Sequence, residues 1–190
     1  MGALEEGERV EARDADAWRA WLAENHATSK GAWLIRPRPG SGLELVAYED
    51  AILHALCFGW IDGPVRTFDE TRGGLWFAPR RPSSGWAATN KARVARLEEA
   101  GLLAEAGIRA SAVAQANGSW SVLDNAEALR EPDDLAAALD AAPDARAAWD
   151  AFPPSTRKLG ITNVDTARRP ETRAARIAKL VADAAEGRRP

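Results

Sequence analysis

Apolar positions in the first hundred residues follow two different periods. Apolar residues three and four positions apart predict amphipathic helices over residues 15–24, 48–58 and 86–100. Short runs of β-branched and aromatic residues, bounded by Gly and Pro, predict strands over residues 8–12, 32–36, 60–68 and 75–78. Only the turn 69–74 separates the last two strands, so they predict an antiparallel hairpin.

After Gly101 the chain is rich in Ala and shows only the helical period. Helices are predicted over residues 103–117, 132–140, 143–152, 155–168 and 171–185, with a short apolar segment at 120–123. The predicted fold class is α+β: a small, mostly antiparallel sheet with packed helices in residues 1–100, followed by an all-helical C-terminal region in residues 101–190. The residues predicted to form the core are Trp33, Ile52, Leu56, Trp60, Phe77 and Leu97.

The composition excludes several classes of protein. Of the 190 residues 46% are hydrophobic and 28% charged, so the chain can bury a core. One cysteine and two histidines exclude a disulfide framework and a zinc site of several cysteines, and we predict no metal and no cofactor. The chain starts without a secretory signal, and no segment has the roughly 18 apolar residues of a spanning helix. We therefore expect a cytoplasmic protein without a membrane span.

The charges are distributed in blocks although the net charge is only −3. Residues 1–70 are mainly acidic, whereas residues 71–97 contain no acidic residue and these basic ones: Arg72, Arg80, Arg81, Lys91, Arg93 and Arg96. One interpretation is that these blocks are solvated faces that complement one another in the fold. The other is that the basic block binds an anion. The pI of about 5.5 argues against nucleic acid as a partner.

One candidate binding site lies between the second hairpin strand and the following helix. Arg80 and Arg81 precede Ser83 and Ser84, either of which is able to cap a helix, so guanidinium groups and free backbone N–H groups would face the same space. Trp86 would supply an apolar wall, and the same stretch continues with Asn90 and Lys91. The alternative is ordinary capping with a structural Trp.

A second candidate site lies in the segment from His54 to Asp62. Trp60 and Asp62 are two residues apart on one strand and therefore point to the same face, where the carboxylate is either a general acid or base or a hydrogen-bond acceptor of the following turn. Cys57 and His54 are three residues apart on one helix and form either a reactive dyad or, given apolar neighbours, an inert buried thiol beside a histidine.

If the hairpin register is simple, both candidate sites come together. We then expect one mixed pocket with Asp62 on its acidic side, Arg80 on its basic side, and Trp60 and Trp86 as walls. One charge-assisted contact contributes about 1.5–3 kcal/mol, so Arg80→Ala should weaken a bound anion roughly tenfold to 150-fold. The implied partner is a small anionic ligand or a protein. The sequence indicates no particular oligomeric state and leaves open whether a reaction is catalysed.

Several segments give the chain a resemblance to a known family. They are Trp21–Leu34, Ala55–Gly63, Phe77–Arg81 with Ser84–Trp86 and Asn90–Lys91, Asp134–Leu139, Phe152–Ser155 and Ala167–Ile177. In these segments the chain resembles the YdeI/OmpD-associated family, also called bacteriocin-protection or OmdA-like proteins, over residues 9–187. The resemblance implies a bacterial α+β module with a helical tail and a role in tolerance of cationic antimicrobial peptides or bacteriocins. It implies a stress-tolerance protein that is non-catalytic or binds a small ligand. The alternative is an enzyme acting on a small anionic metabolite in the Trp/Asp/Arg pocket.

Overall fold

A computed structural model describes Leu4 and residues 7–190. The start of the chain, on which the expectation of no secretory signal rests, lies largely outside the described residues. By packing, the chain divides into two compact units. The first unit contains the described residues up to Ser84 together with Thr89–Asn117, and the second contains Gly85–Ala88 and Gly118–Pro190. The predicted division into domains at residue 100 stays a prediction.

The first unit contains a four-stranded mixed sheet. Its strands are β1 (Glu8–Val10), β2 (Ala32–Pro37), β3 (Trp60–Thr67) and β4 (Arg72–Pro79), and their order in the sheet is β1–β2–β4–β3. β1 pairs parallel with β2, and the other two pairings are antiparallel. The predicted hairpin is β3–β4, and its register shifts between Asp62 and Val65, where Gly63 and Pro64 intervene.

Four helices belong to this unit: α1 (Ala15–Asn25), α2 (Tyr48–Cys57), α3 (Ala88–Glu99) and α4 (Glu105–Ala116). The first residue of α3, Ala88, is assigned to the second unit. α1 begins where the Asp14 carboxylate accepts the backbone N–H of Ala17 at 2.8 Å, the N-cap that the sequence predicts. α1 lies against one face of the sheet, since the ring centroids of Trp18 and Phe77 are 5.3 Å apart. α2 packs on the same side, because the Trp18 indole N–H donates to the Ala51 carbonyl at 3.1 Å.

The second unit is helical. Its helices are α5 (Asp124–Glu127), α6 (Asp133–Asp140), α7 (Pro143–Ala151), α8 (Pro154–Asp165) and α9 (Pro170–Ala185). Their inward faces form one core, with Leu135, Leu139, Trp149, Ile161 and Leu180 among its members. No described helix is long and apolar enough to cross a membrane.

The α+β class and the helical C-terminal region are confirmed, and all of the predicted core residues are buried. Two local details differ from the sequence pattern. α3 begins at Ala88 rather than Trp86, and residues 124–127, for which the pattern predicts no element, form the short helix α5 directly after the predicted apolar segment 120–123. A helix of one turn is too short to produce a recognisable apolar period, which is why the pattern misses it.

Candidate functional site

Tyr48 lies at the centre of a polar cluster in the first unit. It is the first residue of α2, its side chain remains partly accessible, and its hydroxyl donates to the Asp62 carboxylate of β3 at 3.3 Å. Burial, with a further contribution from the Asp62 charge, raises the pKa of Tyr48. Tyr48 therefore stays protonated at neutral pH and acts as a hydrogen-bond donor.

Arg36 contacts the same tyrosine. It is half-buried near the end of β2, and the carbon of its guanidinium group lies 5.1 Å from the centroid of the Tyr48 ring. The pairing of β2 with β4 and of β4 with β3 places Arg36 on the sheet face that also carries Asp62. Among the described residues no carboxylate forms an ion pair with Arg36. A guanidinium group that stacks on a ring keeps the N–H donors at its edge available.

Arg93 of α3 adds a fixed positive charge. It donates to both oxygens of Glu49, at 2.9 and 2.6 Å, and to the Asn90 side-chain oxygen at 2.9 Å. These hydrogen bonds hold the pKa of Glu49 below its ordinary value and raise the pKa of Arg93. Arg96 approaches the same carboxylate at 3.6 Å. The fork geometry holds Arg93 in one orientation, so it contributes a positive potential rather than a mobile contact.

Arg80 follows β4, and its backbone N–H donates to the Gly59 carbonyl at 2.9 Å, which fixes the chain at this point. Burial lowers the pKa of Arg80 to about 10, and the nearby Asp62 charge partly opposes that change. The guanidinium group is still charged at neutral pH. Asp62 and Arg80, predicted on opposite sides of one site, are thus electrostatic neighbours.

The other predicted site residues have different surroundings. Trp60 is only 1% exposed and packs on Trp21, so it belongs to the core. Arg81 is exposed, and its carbonyl accepts the Ser84 N–H at 2.9 Å in a turn. Lys91 is half-buried in α3.

Trp86 and the predicted helix N-terminus belong to the second unit. Trp86 is 1% exposed and its ring centroid lies 4.9 Å from that of Trp120. The backbone N–H of Ala88 donates to the Glu127 carboxylate at 2.8 Å, so this N–H has a partner within the chain. The single mixed pocket with two tryptophan walls stays a prediction. The helix cap by Ser84 also stays a prediction.

Cys57 and His54 lack the geometry of an activated dyad. The Cys57 side chain is fully buried, and burial raises the pKa of its thiol. His54 Nδ1 faces Arg19, whose guanidinium nitrogen lies 3.3 Å away. Burial and this charge lower the pKa of His54. A neutral imidazole that faces a cation cannot stabilise a thiolate, so the geometry favours the inert alternative.

Arg36, Tyr48 and Glu49 are members of the cluster that sequence reasoning missed. Arg36 looked like the last residue of a strand, and Tyr48 looked like an inward residue of a helix. Their meeting depends on which strand lies next to β4, and no local pattern encodes that neighbour. The signal that could have been used was the helix-start position of Tyr48, which leaves its hydroxyl near the sheet edge.

The cluster as a whole is positive, because the arginines outnumber the carboxylates Glu49 and Asp62. It combines planar guanidinium donors, a tyrosine hydroxyl and an asparagine amide, which are groups that bind carboxylate or phosphate oxygens. Among the described residues, no group of three or more His, Cys, Asp or Glu side chains could hold a metal ion.

An apolar groove of about 420 Å³ lies in the second unit, between α6 and α9. Three of the seven residues that line it are alanines, and Ile177 is its largest apolar side chain. At one end Arg173 donates to both oxygens of Asp134, at 2.6 and 2.8 Å. The two polar residues of the groove satisfy each other, so they present little for a ligand to bind.

Comparison with known families divides the chain in two. Residues 10–110 match a model described as Domain of unknown function (DUF8412), and residues 128–187 match OmdA, described as Bacteriocin-protection, YdeI or OmpD-Associated. No curated protein and no solved structure matches the chain. The predicted resemblance is confirmed for residues 128–187, whereas residues 10–110 match a different model. Since that model spans more than half of the chain, the protein belongs to the DUF8412 family and carries a C-terminal segment that matches OmdA.

Proposed function

We propose that the first unit binds a small anionic ligand at the cluster around Tyr48, and that binding serves a non-catalytic role in tolerance of bacteriocins or cationic antimicrobial peptides. The observation that carries the binding proposal is the Arg36 guanidinium group, which lies over the Tyr48 ring without a carboxylate partner among the described residues. Such a group is oriented before a ligand arrives, which lowers the entropic cost of binding.

Each neighbour of Arg36 has a distinct part in this proposal. Asp62 accepts the Tyr48 hydroxyl and so holds the ring that Arg36 covers. Arg93 is held by Glu49 and Asn90, and its charge adds to the positive potential of the cluster. The two carboxylates reduce the positive potential of the cluster and so weaken its attraction for any anion.

The raised pKa of the central tyrosine supports a hydrogen-bond donor at this site rather than a general base. Burial raises the pKa of Tyr48, so this group does not accept a proton at neutral pH. The enzyme alternative acts on the same ligand class and predicts that a bound ligand is consumed. The same binding experiment therefore separates the two functions.

The stress-tolerance part of the proposal rests on residues 128–187, which match the family model described as Bacteriocin-protection, YdeI or OmpD-Associated. We place this action in the cytoplasm of a bacterium, as the composition and the single reduced cysteine favour. In this arrangement the helical unit acts in protection, and the first unit senses or stores the ligand.

The binding proposal is tested by a thermal-shift screen against small carboxylates and phosphates, followed by calorimetric titration of any ligand found. A ligand that binds only the folded protein raises its melting temperature. We expect Arg36→Gln and Arg80→Ala each to weaken binding about tenfold or more. Arg13→Gln is the matched control, because Arg13 is exposed and pairs with Asp14 away from the cluster. Equal affinities of wild type and Arg36→Gln would remove this cluster as the site.

The stress-tolerance proposal is tested in a deletion strain of the source organism. We expect the deletion to lower survival under a cationic antimicrobial peptide or bacteriocin and the wild-type gene to restore it. Arg36→Gln should restore survival less well than Arg13→Gln. Unchanged survival of the deletion strain contradicts the protective role and leaves the binding result unaffected. Consumption of the ligand during titration supports the enzyme alternative.

A further inference from the structure

The opposite face of the same sheet carries a second arrangement of arginines on an aromatic ring. The guanidinium carbon of Arg9 lies 4.0 Å from the centroid of the Phe68 ring, and that of Arg66 lies 5.8 Å from the same centroid. Arg9 stands opposite Trp33 in the sheet, and Arg66 stands opposite Gly74. Two side chains from opposite edge strands, β1 and β3, therefore converge on one ring.

The place of the ring depends on a glycine. A Cβ atom at Gly74 would lie 2.5 Å from Phe68 Cε2 and 3.0 Å from Trp33 Cε3, so no larger residue fits beneath the ring. The Phe68 ring also meets Trp33 edge to face, with ring centroids 5.6 Å apart. Packing thus holds Phe68 at a fixed place, and this fixed ring positions both arginines.

The two arginines have no carboxylate partner among the described residues, whereas their neighbour on the same face does. Arg72 pairs with Glu11 at 2.9 Å and approaches Asp69 at 3.8 Å. The Asp69 carboxylate also accepts the backbone N–H groups of the turn before β4. Glu11 and Asp69 are therefore engaged, and within the part of the chain that the structure describes no carboxylate pairs with Arg9 or Arg66 to offset the repulsion between them.

We propose that Arg9 and Arg66 form a binding site for a phosphoryl group of a small molecule, separate from the cluster around Tyr48. A cation–π contact with Phe68 does not use the N–H donors at the edge of a guanidinium group, so they are left for oxygen atoms. Both distances are measured to one centroid, so the two guanidinium carbons are no further apart than the sum of those distances. A phosphoryl group offers three oxygens and up to two negative charges, which two forks bind better than one carboxylate does.

The probe is pyrophosphate, titrated at low ionic strength into the full-length protein while the arginine Nε–Hε resonances are followed by NMR. The two resonances are assigned by their loss in Arg9→Gln and Arg66→Gln. We expect both to shift and saturate together, with each substitution weakening the affinity about tenfold, which corresponds to about 1.4 kcal/mol. Added salt should weaken binding further, since the site is exposed. Unshifted resonances, or an unchanged affinity in both variants, overturn the proposal.

Two further arms test the arrangement and the class of ligand. Phe68→Leu keeps an apolar residue and removes the ring, so it should weaken pyrophosphate binding while circular dichroism confirms the fold; Gly74→Ala should act in the same direction by displacing the ring. Arg13→Gln should bind pyrophosphate as the wild type does. If Phe68→Leu binds as the wild type, the ring does not position the arginines. If a short oligothymidylate shifts the two resonances at lower concentration than pyrophosphate, the site is one for nucleic acid and the small-molecule assignment is wrong.

Discussion

Removing the Glu131 carboxylate should destabilise the helical unit by an amount that the structure makes predictable. Arg146 donates to both Glu131 oxygens, at 2.7 and 3.0 Å, and the fully buried Trp149 donates its indole N–H to Glu131 Oε1 at 2.8 Å. Only about a fifth of either charged side chain is exposed, at 24% for Arg146 and 18% for Glu131, so solvent screens this pair only in part.

The expected loss follows from the hydrogen bonds that each substitution removes. Glu131→Gln keeps an oxygen for Trp149 but loses the ionic bonds to Arg146, which retains Asp140 and Asp150 as partners. We therefore expect a loss of about 2 kcal/mol in the free energy of unfolding. Glu131→Ala also leaves the buried indole N–H without a partner and should cost at least about 1 kcal/mol more.

The assay is urea unfolding followed by far-ultraviolet circular dichroism, with Asp144→Asn as a control, since Asp144 is an exposed carboxylate of α7. The control should lose no more than about 1 kcal/mol, because it removes only a favourable interaction with the helix dipole. The hydrogen bonds from Arg146 hold the pKa of Glu131 below its ordinary value of 4.5. Its contribution is therefore complete above pH 4.5 and is lost as the pH falls through the lower folded-state pKa. Equal midpoints for Glu131→Gln and wild type would refute this reasoning.

Three further predictions concern single groups. Tyr48 is the only tyrosine, so its alkaline titration is visible by ultraviolet absorbance; its midpoint should lie above 10, and Asp62→Asn should lower it, whereas an unshifted midpoint contradicts the contact. Gly160→Ala should destabilise the protein by about 1–3 kcal/mol in the same urea assay, because the new Cβ would lie 2.8 Å from two ring carbons of Trp149. The Cys57 thiol should react with Ellman's reagent only after unfolding, and fast reaction of the folded protein would show that it is accessible.

The period of two along β3 was sufficient to place part of the candidate site. It put Trp60 and Asp62 on one face, and the register with Pro79 and Phe77 of β4 agrees with a hairpin read from the sequence. The same local reasoning reaches Asn90 and Arg93, which are three residues apart on α3 and hydrogen-bonded to each other. Features of this kind involve residues close in sequence, where the period alone fixes the neighbours.

Contacts that depend on the pairing of strands distant in sequence could not be predicted from the apolar pattern. Arg36 reaches Tyr48 only because β2 lies beside β4, although β3 comes between them in sequence. Trp86 was predicted as a wall of the anion site because it follows Arg80 closely in sequence. In the structure its backbone N–H donates to the carbonyl of Ser119, and its ring packs on Trp120. Sequence proximity alone therefore does not show with which distant part of the chain a short segment packs.

The charge blocks show why the basic stretch was an indirect guide to anion sites. Much of its charge is neutralised by carboxylates of the acidic stretch that precedes it: Arg72 pairs with Glu11, and both Arg93 and Arg96 with Glu49. This is the complementarity of faces that the first interpretation expected. The basic stretch is positive in sequence, but these three of its cations have partners in the fold.

The arginines that lie over aromatic rings come from the acidic stretch instead. Arg9, Arg36 and Arg66 lie among residues 1–70, where acidic residues predominate, and each is held by an aromatic ring rather than by a carboxylate. A cation that lies over a ring keeps its edge donors available, whereas a bidentate ion pair occupies them. Under the two binding proposals, the partner of each arginine, and not the net charge of its segment, determines where an anion binds. Replacing the aromatic rings while keeping the arginines should weaken anion binding. This result would separate the effect of positioning the arginines from the effect of their charge.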